Sequence, residues 1–215
     1  MPLSFDGQRI LILGAGVTGN AVARSLTKRG AVVSMADENP AAQSEHRVIG
    51  AKDVVIKDFD SVVVSPGWRQ DHPLVVAAKA SGLSLLNEVD LAWQIKSEIA
   101  PGQKWLALTG TNGKTTTVEM VAAMLKRGGL KATACGNVGE TVIEVVDRAD
   151  AFEVLVLELS SFQLHWSKQA QFVASAILNI ADDHIDWHGS FDEYAKAKLT
   201  ILDRATTAVL NADEG

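Results

Sequence analysis

The chain has 215 residues, of which 47% are hydrophobic and 21% charged, and its formal net charge is -6 at pH 7. This composition is typical of a globular protein with one large domain or two small ones. The negative charge argues against nonspecific nucleic-acid binding, although a loop of backbone N–H groups can still hold phosphate.

The cysteine content and the absence of long apolar segments indicate the cellular compartment of the protein. Its single cysteine, Cys135, excludes an intrachain disulfide and indicates a reducing compartment. The segment MPLSFDGQR lacks the features of a signal peptide, and no stretch approaches the roughly 20 apolar residues that cross a bilayer. We expect a cytoplasmic monomer that neither inserts into a membrane nor binds nucleic acid.

Short apolar runs alternate with amphipathic stretches along the chain. The runs are continuous, as in strands of a parallel sheet that is covered on both faces. This alternation predicts an α/β fold. The predicted strands lie at residues 9–14, 31–37, 61–65, 105–110, 153–160, 172–179 and 207–211. The predicted helices lie at residues 18–28, 74–80, 88–95, 115–126 and 191–204.

The polar segment KSEIAPGQK at residues 96–104 separates two strand–glycine-loop–helix units. We place a domain boundary there. A Rossmann-like parallel-sheet domain is predicted at residues 1–97, and a P-loop-type α/β domain at residues 98–215. Because the chain ends after only a few strands of the second domain, we expect it to be truncated; a small complete domain is the alternative.

The first loop, LGAGVTGNA, has the spacing G-x-G-x-x-G at Gly14, Gly16 and Gly19. Glycines at these positions allow a tight turn and the approach of a phosphate to a helix N-terminus. Asp37 ends the next predicted strand, where a carboxylate can hold a ribose hydroxyl. The motif indicates a nucleotide, usually a nicotinamide dinucleotide, and a turn without a ligand is the alternative.

The second loop, TGTNGKTTT, is a shortened phosphate-binding loop. The general P-loop has four residues between its glycines, whereas only Thr111 and Asn112 lie between Gly110 and Gly113. Lys114 would neutralise phosphate, and the hydroxyl of Thr115 would reach Mg²⁺. An oxidoreductase needs only the first loop, so the second argues against that class. The predicted cofactor-binding residues are Gly110, Thr111, Asn112, Gly113, Lys114, Thr115 and Thr116.

Two acidic or histidine-rich features complete the candidate site. Glu158 interrupts an apolar run near the end of a predicted strand, where a buried carboxylate needs a partner, so Glu158 and Thr115 form a candidate Mg²⁺ pair. A helix cap is the alternative. In DDHIDWH, His184 and His188 are predicted to share a helix face, but Ile185 replaces the glutamate of a zinc-protease H-E-x-x-H motif. An acidic helix start is the alternative for its aspartates.

The segment GTNGKTT resembles the ATP loop of the Mur ligases and of the related folylpolyglutamate synthases, which join an amino acid to a carboxylate. The N-terminal glycine motif fits the Mur ligases with a Rossmann-like first domain. Further segments are similar in order and spacing to the branch that adds D-glutamate. They are SPG (residues 65–67), GNVG (136–139), LELSSFQL (157–164), LNIADDHIDWHGS (178–190) and YAKAKLTI (194–201).

The resemblance covers essentially the whole chain, and it implies an ATP-dependent ligase that forms an amide bond through an acyl phosphate. The implied cofactors are ATP and Mg²⁺, and the implied substrates are UDP-N-acetylmuramoyl-L-alanine and D-glutamate. It also implies a third domain, absent from this chain, that holds D-glutamate. The alternative for this chain is a UDP-sugar-binding fragment without catalysis.

The resemblance also implies roles for individual residues. Glu38 and Asn39 depart from one version of the family pattern, which has a Thr-Arg pair after Asp37. From the residues alone, Lys198 is a solvated lysine and Asn137 belongs to a Gly-Asn turn. The implied catalytic residues are Lys114, Glu158, His184 and Lys198. The implied metal ligands are Thr115, Glu158, His184 and Lys198, the last as a carbamate. The implied substrate-binding residues are Val17, Thr18, Asp37, Ser65, Gly67, Asn137 and His184.

Overall fold

The computed structural model of the chain describes residues 4–39, 41–148 and 151–212. The chain divides into two compact units, Met1–Ala92 and Trp93–Gly215. This division falls within a helix, Glu88–Ile99, that also contains the predicted boundary between residues 97 and 98. Among the helices in these ranges, none combines the length and the apolar character that a membrane crossing requires.

The first unit is built on a five-stranded sheet in the order β3-β2-β1-β4-β5, in which all neighbouring strands are parallel. The inner strands are predicted apolar runs, as expected for strands with neighbours on both sides. The strands are β1 (Arg9–Leu13), β2 (Val32–Asp37), β3 (Arg47–Gly50), β4 (Ser61–Val64) and β5 (Ser84–Leu86). The helices are α1 (Val17–Thr27) and α2 (Pro73–Ala80), with short 3-10 turns at Ala51–Asp53 and Ile56–Asp58. The helix α3 (Glu88–Ile99) contains the division between the units.

The second unit is also built on a five-stranded parallel sheet, in the order β10-β9-β6-β8-β7. The strands are β6 (Lys104–Thr109), β7 (Ala132–Gly136), β8 (Val154–Glu158), β9 (Phe172–Ile177) and β10 (Ala205–Leu210). The helices are α4 (Lys114–Arg127), α5 (Val142–Val146), α6 (Ser161–Trp166), α7 (Ile185–His188) and α8 (Phe191–Leu199), and a 3-10 turn spans Leu202–Arg204.

Both glycine loops lie where the strand order reverses. β1 lies between β2 and β4, and β6 lies between β8 and β9. In open α/β sheets the ligand crevice opens at this point, at the carboxyl ends of the strands. Four apolar side chains hold α4 against β6 and β8, so the second loop joins two firmly packed elements. They are Leu108, Val118, Ala122 and Val156.

These two parallel sheets confirm the predicted α/β fold. The helix predicted over residues 191–204 was wrong at its C-terminal end, because α8 ends at Leu199. There, Thr200 Oγ1 donates a hydrogen bond of 2.7 Å to the carbonyl of Ala197. Arg204 then donates to Ser167 Oγ at 2.6 Å, which fixes the 3-10 turn that leads into β10.

Candidate functional site

The first glycine loop joins β1 to α1, and its three glycines have different structural roles. Gly14 has a φ of +103°, in the left-handed region that favours glycine. A Cβ on Gly19 would lie 1.9 Å from the carbonyl oxygen of Gly14. A Cβ on Gly16 would meet nothing within 4 Å. Gly14 and Gly19 therefore shape the turn, whereas Gly16 leaves the start of α1 open.

Asp37 ends β2 and holds this loop through its carboxylate. Its Oδ2 accepts a hydrogen bond of 2.7 Å from the N–H of Ala15, and its Oδ1 accepts one of 2.8 Å from the N–H of Asn39. Both carboxylate oxygens thus contact backbone donors. These contacts organise the loop, and the role of Asp37 in substrate binding stays a prediction.

We expect Asp37→Asn to lower the free energy of unfolding of the first unit by about 1–3 kcal/mol. An amide can present an acceptor to only one side, so its NH₂ group would face the N–H of Ala15 or Asn39. Chemical denaturation measures the change. Asp53→Asn is the control, because Asp53 is exposed in the same unit. An Asp37→Asn variant as stable as this control would contradict the structural role.

The other predicted substrate-binding residues of the first unit surround the same loop. Val17 begins α1 with its side chain 76% exposed, and Thr18 follows it. Ser65 follows β4, and its Oγ lies 2.9 Å from the position of a Cβ on Gly14. Gly67 is exposed in the segment after Ser65. All four residues therefore lie at the carboxyl ends of β1 and β4.

A cavity of about 850 Å³ opens at the carboxyl ends of β2 and β3, with Val54 and Leu74 among its apolar lining residues. Its polar and charged lining residues are Asp37, Glu38, Lys52, Asp53 and His72. Nδ1 of His72 accepts from the N–H of Leu74, so Nε2 carries the proton and donates to Glu38 Oε1 at 3.2 Å. Apolar walls with acceptor oxygens suit an uncharged ring that carries N–H groups.

His72 was not among the predicted site residues. The only local signal was a histidine directly before Pro73, at a helix start. Such a residue is expected to cap the helix, and His72 does cap α2. Its second contact, with Glu38, depends on α2 folding back towards the end of β2.

The second glycine loop joins β6 to α4. Gly113 caps α4 with a φ of +80°, and the first hydrogen bond within the helix runs from the N–H of Thr117 to the carbonyl of Gly113. The N–H groups of Lys114, Thr115 and Thr116 precede that bond and point out of the helix start. Lys114 Nζ donates a hydrogen bond of 2.8 Å to the carbonyl of Thr111. This arrangement is that of an anion-binding helix start with its own cation.

Glu158 ends β8 beside this loop, and its side chain is 2% exposed. Thr115 Oγ1 donates to Glu158 Oε2 at 2.8 Å, and Asn137 Nδ2 donates to Oε1 at 3.0 Å. The structure thus brings together three predicted site residues from α4, β8 and the end of β7. Hydroxyl and carboxylate oxygens are ligands of the kind that Mg²⁺ prefers.

A single glycine allows Asn137 to approach Glu158 this closely. A Cβ on Gly136 would lie 2.5 Å from the carbonyl oxygen of Glu158, and Gly136 has a φ of +106°. The N–H of Asn137 donates to that same carbonyl at 2.9 Å.

Across the described ranges, no three His, Cys, Asp or Glu side chains form a ready metal cluster. A cation beside Glu158 would therefore need further oxygens from a bound phosphate or water.

Lys198 lies on the other side of the loop backbone. Its side chain is buried, so the interpretation as a solvated lysine was wrong. Nζ donates to the carbonyl of Gly110 at 2.8 Å and to Thr109 Oγ1 at 3.3 Å, and it lies 4.8 Å from the ring centre of Tyr194. Burial, together with the nearby charge of Lys114, lowers the pKa of Lys198 to about 8.

His184 precedes α7 and has a φ of +51°, an uncommon conformation for a residue other than glycine. Its Nε2 lies 3.4 Å from Asp183 Oδ2, and its ring lies 4.7 Å from that of Phe162. The prediction that His184 and His188 share a helix face was wrong, because α7 begins only at Ile185. His188 is buried, its Nε2 lies 3.0 Å from Ser161 Oγ, and burial lowers its pKa.

Asn179, which was also not among the predicted site residues, follows β9 and contacts the second loop through its side-chain amide. In residues 178–190, the site prediction rested on the aspartates and histidines. An asparagine after an apolar run is by itself an ordinary turn signal. The contact depends on β9 pairing with β6, which local sequence does not encode.

Comparisons with known proteins identify the family of the two units. Residues 108–215 match the Mur ligase middle domain, and residues 8–87 match the Mur ligase MurD-like N-terminal domain. The UDP-N-acetylmuramoylalanine--D-glutamate ligase of Corynebacterium efficiens is 45% identical over 226 aligned positions, which cover 100% of this chain and 47% of that protein. The chain spans about half the length of the curated relatives it matches.

Solved structures share the fold at lower identity. The UDP-N-acetylmuramate:L-alanyl-gamma-D-glutamyl-meso-diaminopimelate ligase from Neisseria meningitides matches 96% of this chain and 72% of its own, with 18% identity and a TM-score of 0.58. MurF ligase from Thermotoga maritima, in complex with ADP, matches 98% of this chain and 44% of its own, with 18% identity and a TM-score of 0.50. The middle-domain match alone covers half of the sequence, and the chain belongs to the Mur ligase family.

Proposed function

We propose that this chain supplies the UDP-binding and ATP-binding units of an enzyme that joins D-glutamate to UDP-N-acetylmuramoyl-L-alanine with ATP. The observation that carries the proposal is the contact of Thr115 and Asn137 with the buried Glu158. This contact lies beside the second glycine loop and Lys114, the first residue of α4. The name of the Corynebacterium efficiens relative supports the choice of substrates.

The first unit is the proposed site of the UDP group. The start of α1 is open at Gly16, which suits a pyrophosphate at a helix N-terminus. The cavity beyond Asp37 has the mixed apolar and polar lining that suits uracil. In this chain Glu38 and Asn39 follow Asp37, where one version of the family pattern has a Thr-Arg pair. The contact of His72 with Glu38 would offer an N–H donor and an acceptor in this cavity.

The loop of the second unit is the proposed site of the ATP phosphates. The N–H groups at the start of α4 and the ammonium of Lys114 would neutralise their charge. Thr115 and Glu158 would hold Mg²⁺, whose charge would polarise the transferred phosphoryl group. The described complex of the related MurF ligase with ADP supports a nucleotide in this family.

The proposed reaction has two steps. A carboxylate oxygen of the L-alanyl substituent attacks the γ-phosphorus of ATP, and the P–O bond to ADP breaks. The amine of D-glutamate then attacks the acyl carbon, phosphate leaves, and one proton is lost as the amide forms. Such transfers depend on positioning and charge neutralisation more than on covalent chemistry of the protein. Lys114 fits that role, and His184 and Lys198 are proposed to act near the acceptor carboxylate.

We expect Lys198 to react with carbon dioxide to form a carbamate, because its lowered pKa leaves part of the amine neutral near pH 7. The neutral fraction rises as the pH passes through about 8. At constant dissolved ¹³CO₂, the carbamate signal in ¹³C NMR should therefore grow between about pH 7 and about pH 9. Lys196→Arg, at an exposed position, should retain the signal. Persistence of the signal in Lys198→Arg would contradict the assignment.

Phosphate release from ATP by the protein in its full natural length tests the ligase proposal. Release should require both UDP-N-acetylmuramoyl-L-alanine and D-glutamate. Equal release without D-glutamate, or equal release with L-glutamate, would refute it. Calorimetry on this chain tests the alternative: binding of the UDP-sugar without binding of ATP would indicate a fragment that binds but does not catalyse.

A further inference from the structure

The nucleotide loop of the second unit is shorter than the general P-loop. Only Thr111 and Asn112 lie between Gly110 and Gly113, where the general motif has four residues. In the general motif, the N–H groups of that longer interval help to surround the phosphates. A shortened loop needs another source of fixed polar contacts, because ordering a free loop on binding lowers affinity.

Asn179 provides such contacts from outside the loop. Its Oδ1 accepts hydrogen bonds from the N–H of Thr111 at 3.0 Å and of Asn112 at 2.9 Å. Its Nδ2 donates to the carbonyl of Asn112 at 3.1 Å. Its backbone carbonyl accepts a further bond of 3.1 Å from the N–H of Thr111. One residue thus pairs the polar backbone groups across the middle of the loop.

We propose that Asn179 is a positioning residue that takes the structural place of the two residues this loop lacks. The proposal rests on the proposed function of the loop as the site of the ATP phosphates. The Asn179 amide has one suitable orientation, because a flip would set its NH₂ group against two N–H donors. It therefore acts on the nucleotide through the shape of the loop.

These contacts divide the predicted cofactor-binding residues into two groups. The N–H groups of Thr111 and Asn112 are directed at Asn179, so they shape the loop. The N–H groups of residues 114–116 precede the first bond within α4 and face outwards. The short loop would thus hold phosphate mainly with the start of α4, and Asn179 would set the angle at which the loop enters that helix.

Neighbouring contacts make the segment after β9 a firm support for Asn179. A Cβ on Gly110 would lie 3.1 Å from the Cβ of Leu178, so the loop packs directly against this segment. Thr111 Oγ1 accepts from the N–H of Ala181 at 2.9 Å and lies 2.9 Å from the hydroxyl oxygen of Tyr194. The loop is therefore fixed to the end of β9 and to α8.

Amide hydrogen exchange followed by NMR on this chain, without nucleotide, tests the geometry. Asn179→Ala should speed exchange at Asn112 by at least about tenfold while exchange in β6 and β9 stays the same. At Thr111 the increase should be smaller, because its N–H keeps the bond to the backbone carbonyl of residue 179. Asn179→Asp keeps an oxygen that faces both N–H groups and should retain slow exchange there. Asn211→Ala is the matched control, because Asn211 donates to the carbonyl of Leu178 at the same sheet edge.

Titration with ADP and Mg²⁺ tests the consequence. The dissociation constant should rise at least about tenfold in Asn179→Ala and stay unchanged in Asn211→Ala. Faster exchange throughout β6 and β9 would indicate a general structural role and overturn the proposal. Unchanged ADP affinity in Asn179→Ala, or no ADP binding by the unaltered chain, would also overturn it. If these results hold but D-glutamate is not ligated, only the ligase proposal fails.

Discussion

Gly19→Ala should lower the free energy of unfolding of the first unit by about 3 kcal/mol or more, whereas Gly16→Ala should lower it by less than about 1 kcal/mol. Both glycines belong to the same G-x-G-x-x-G motif. A sequence motif treats them alike, but the structure gives them different surroundings. The comparison therefore separates a glycine required by the fold from one that is open to a ligand.

Two opposing effects act on Gly19→Ala. Gly19 lies in the first turns of α1, where alanine is favoured over glycine by about 1 kcal/mol. The new Cβ would, however, lie 1.9 Å from the carbonyl oxygen of Gly14. Gly14 is held in place, because its N–H donates to the carbonyl of Ala36 at 2.7 Å. Separating α1 from β1 should outweigh the gain in helix propensity.

No such clash opposes Gly16→Ala. Gly16 caps α1 with a φ of -77°, which alanine adopts readily, and its Cβ position is open. Chemical denaturation measures both variants, and UDP titration then reports on the ligand. Gly16→Ala should fold but bind UDP more weakly, because a methyl group would stand at the helix start. Equal stability of the two variants would contradict the packing described for Gly19.

The inner parts of both sheets could be predicted because their strands carry local signals. Runs such as ILIL in β1 and VLVL in β8 are apolar throughout, as fully buried strands require. The edge strands β3 and β5 are short and only partly buried. β7 consists largely of small residues, which indicate neither helix nor strand. These three strands form because a neighbouring strand offers unpaired backbone groups, and a local pattern does not reveal this.

The same distinction holds for the candidate site. Thr115 and Glu158 could be placed together from sequence, because the carboxyl ends of parallel strands meet at one edge. Asn179 could not, because its contact requires the particular strand order in which β9 lies beside β6. The left-handed backbone of His184 was also not predictable, since histidine adopts this conformation more often than most residues but still rarely. Pairings that depend on sheet order are thus the part of this site that only the structure shows.

Glu158→Gln should weaken ADP binding in the presence of Mg²⁺ by about a hundredfold, while leaving the fold at least as stable as before. The carboxylate is buried and contacts two neutral donors, Thr115 Oγ1 and Asn137 Nδ2. A glutamine preserves both contacts: its oxygen can accept from Asn137, and its NH₂ can donate to the hydroxyl oxygen of Thr115. What it removes is the charge.

The sign of the stability change follows from burial. A carboxylate removed from water without a cation beside it is unfavourable, and neutralising it should keep or raise the melting temperature in the absence of Mg²⁺. With ADP and Mg²⁺ the order should reverse, because only the unaltered chain gains binding free energy from the cation. Glu158→Gln would then be at least as stable as the unaltered chain without the ligand and less stable than it with the ligand.

Glu153→Gln is the matched control for this reversal. Glu153 directly precedes β8, at the opposite end of the strand from Glu158, and its Oε2 accepts from the N–H of Lys131 at 2.9 Å. The Glu153→Gln variant should keep its full stabilisation by Mg²⁺ and ADP. Its amide oxygen can still accept from the N–H of Lys131, and the nucleotide loop lies at the other end of β8. Thermal melting with and without ADP and Mg²⁺ distinguishes the two. If Glu158→Gln kept its full stabilisation by Mg²⁺ and ADP, the buried carboxylate would be a structural anchor for Asn137 and Thr115, and the cation would have to be held elsewhere.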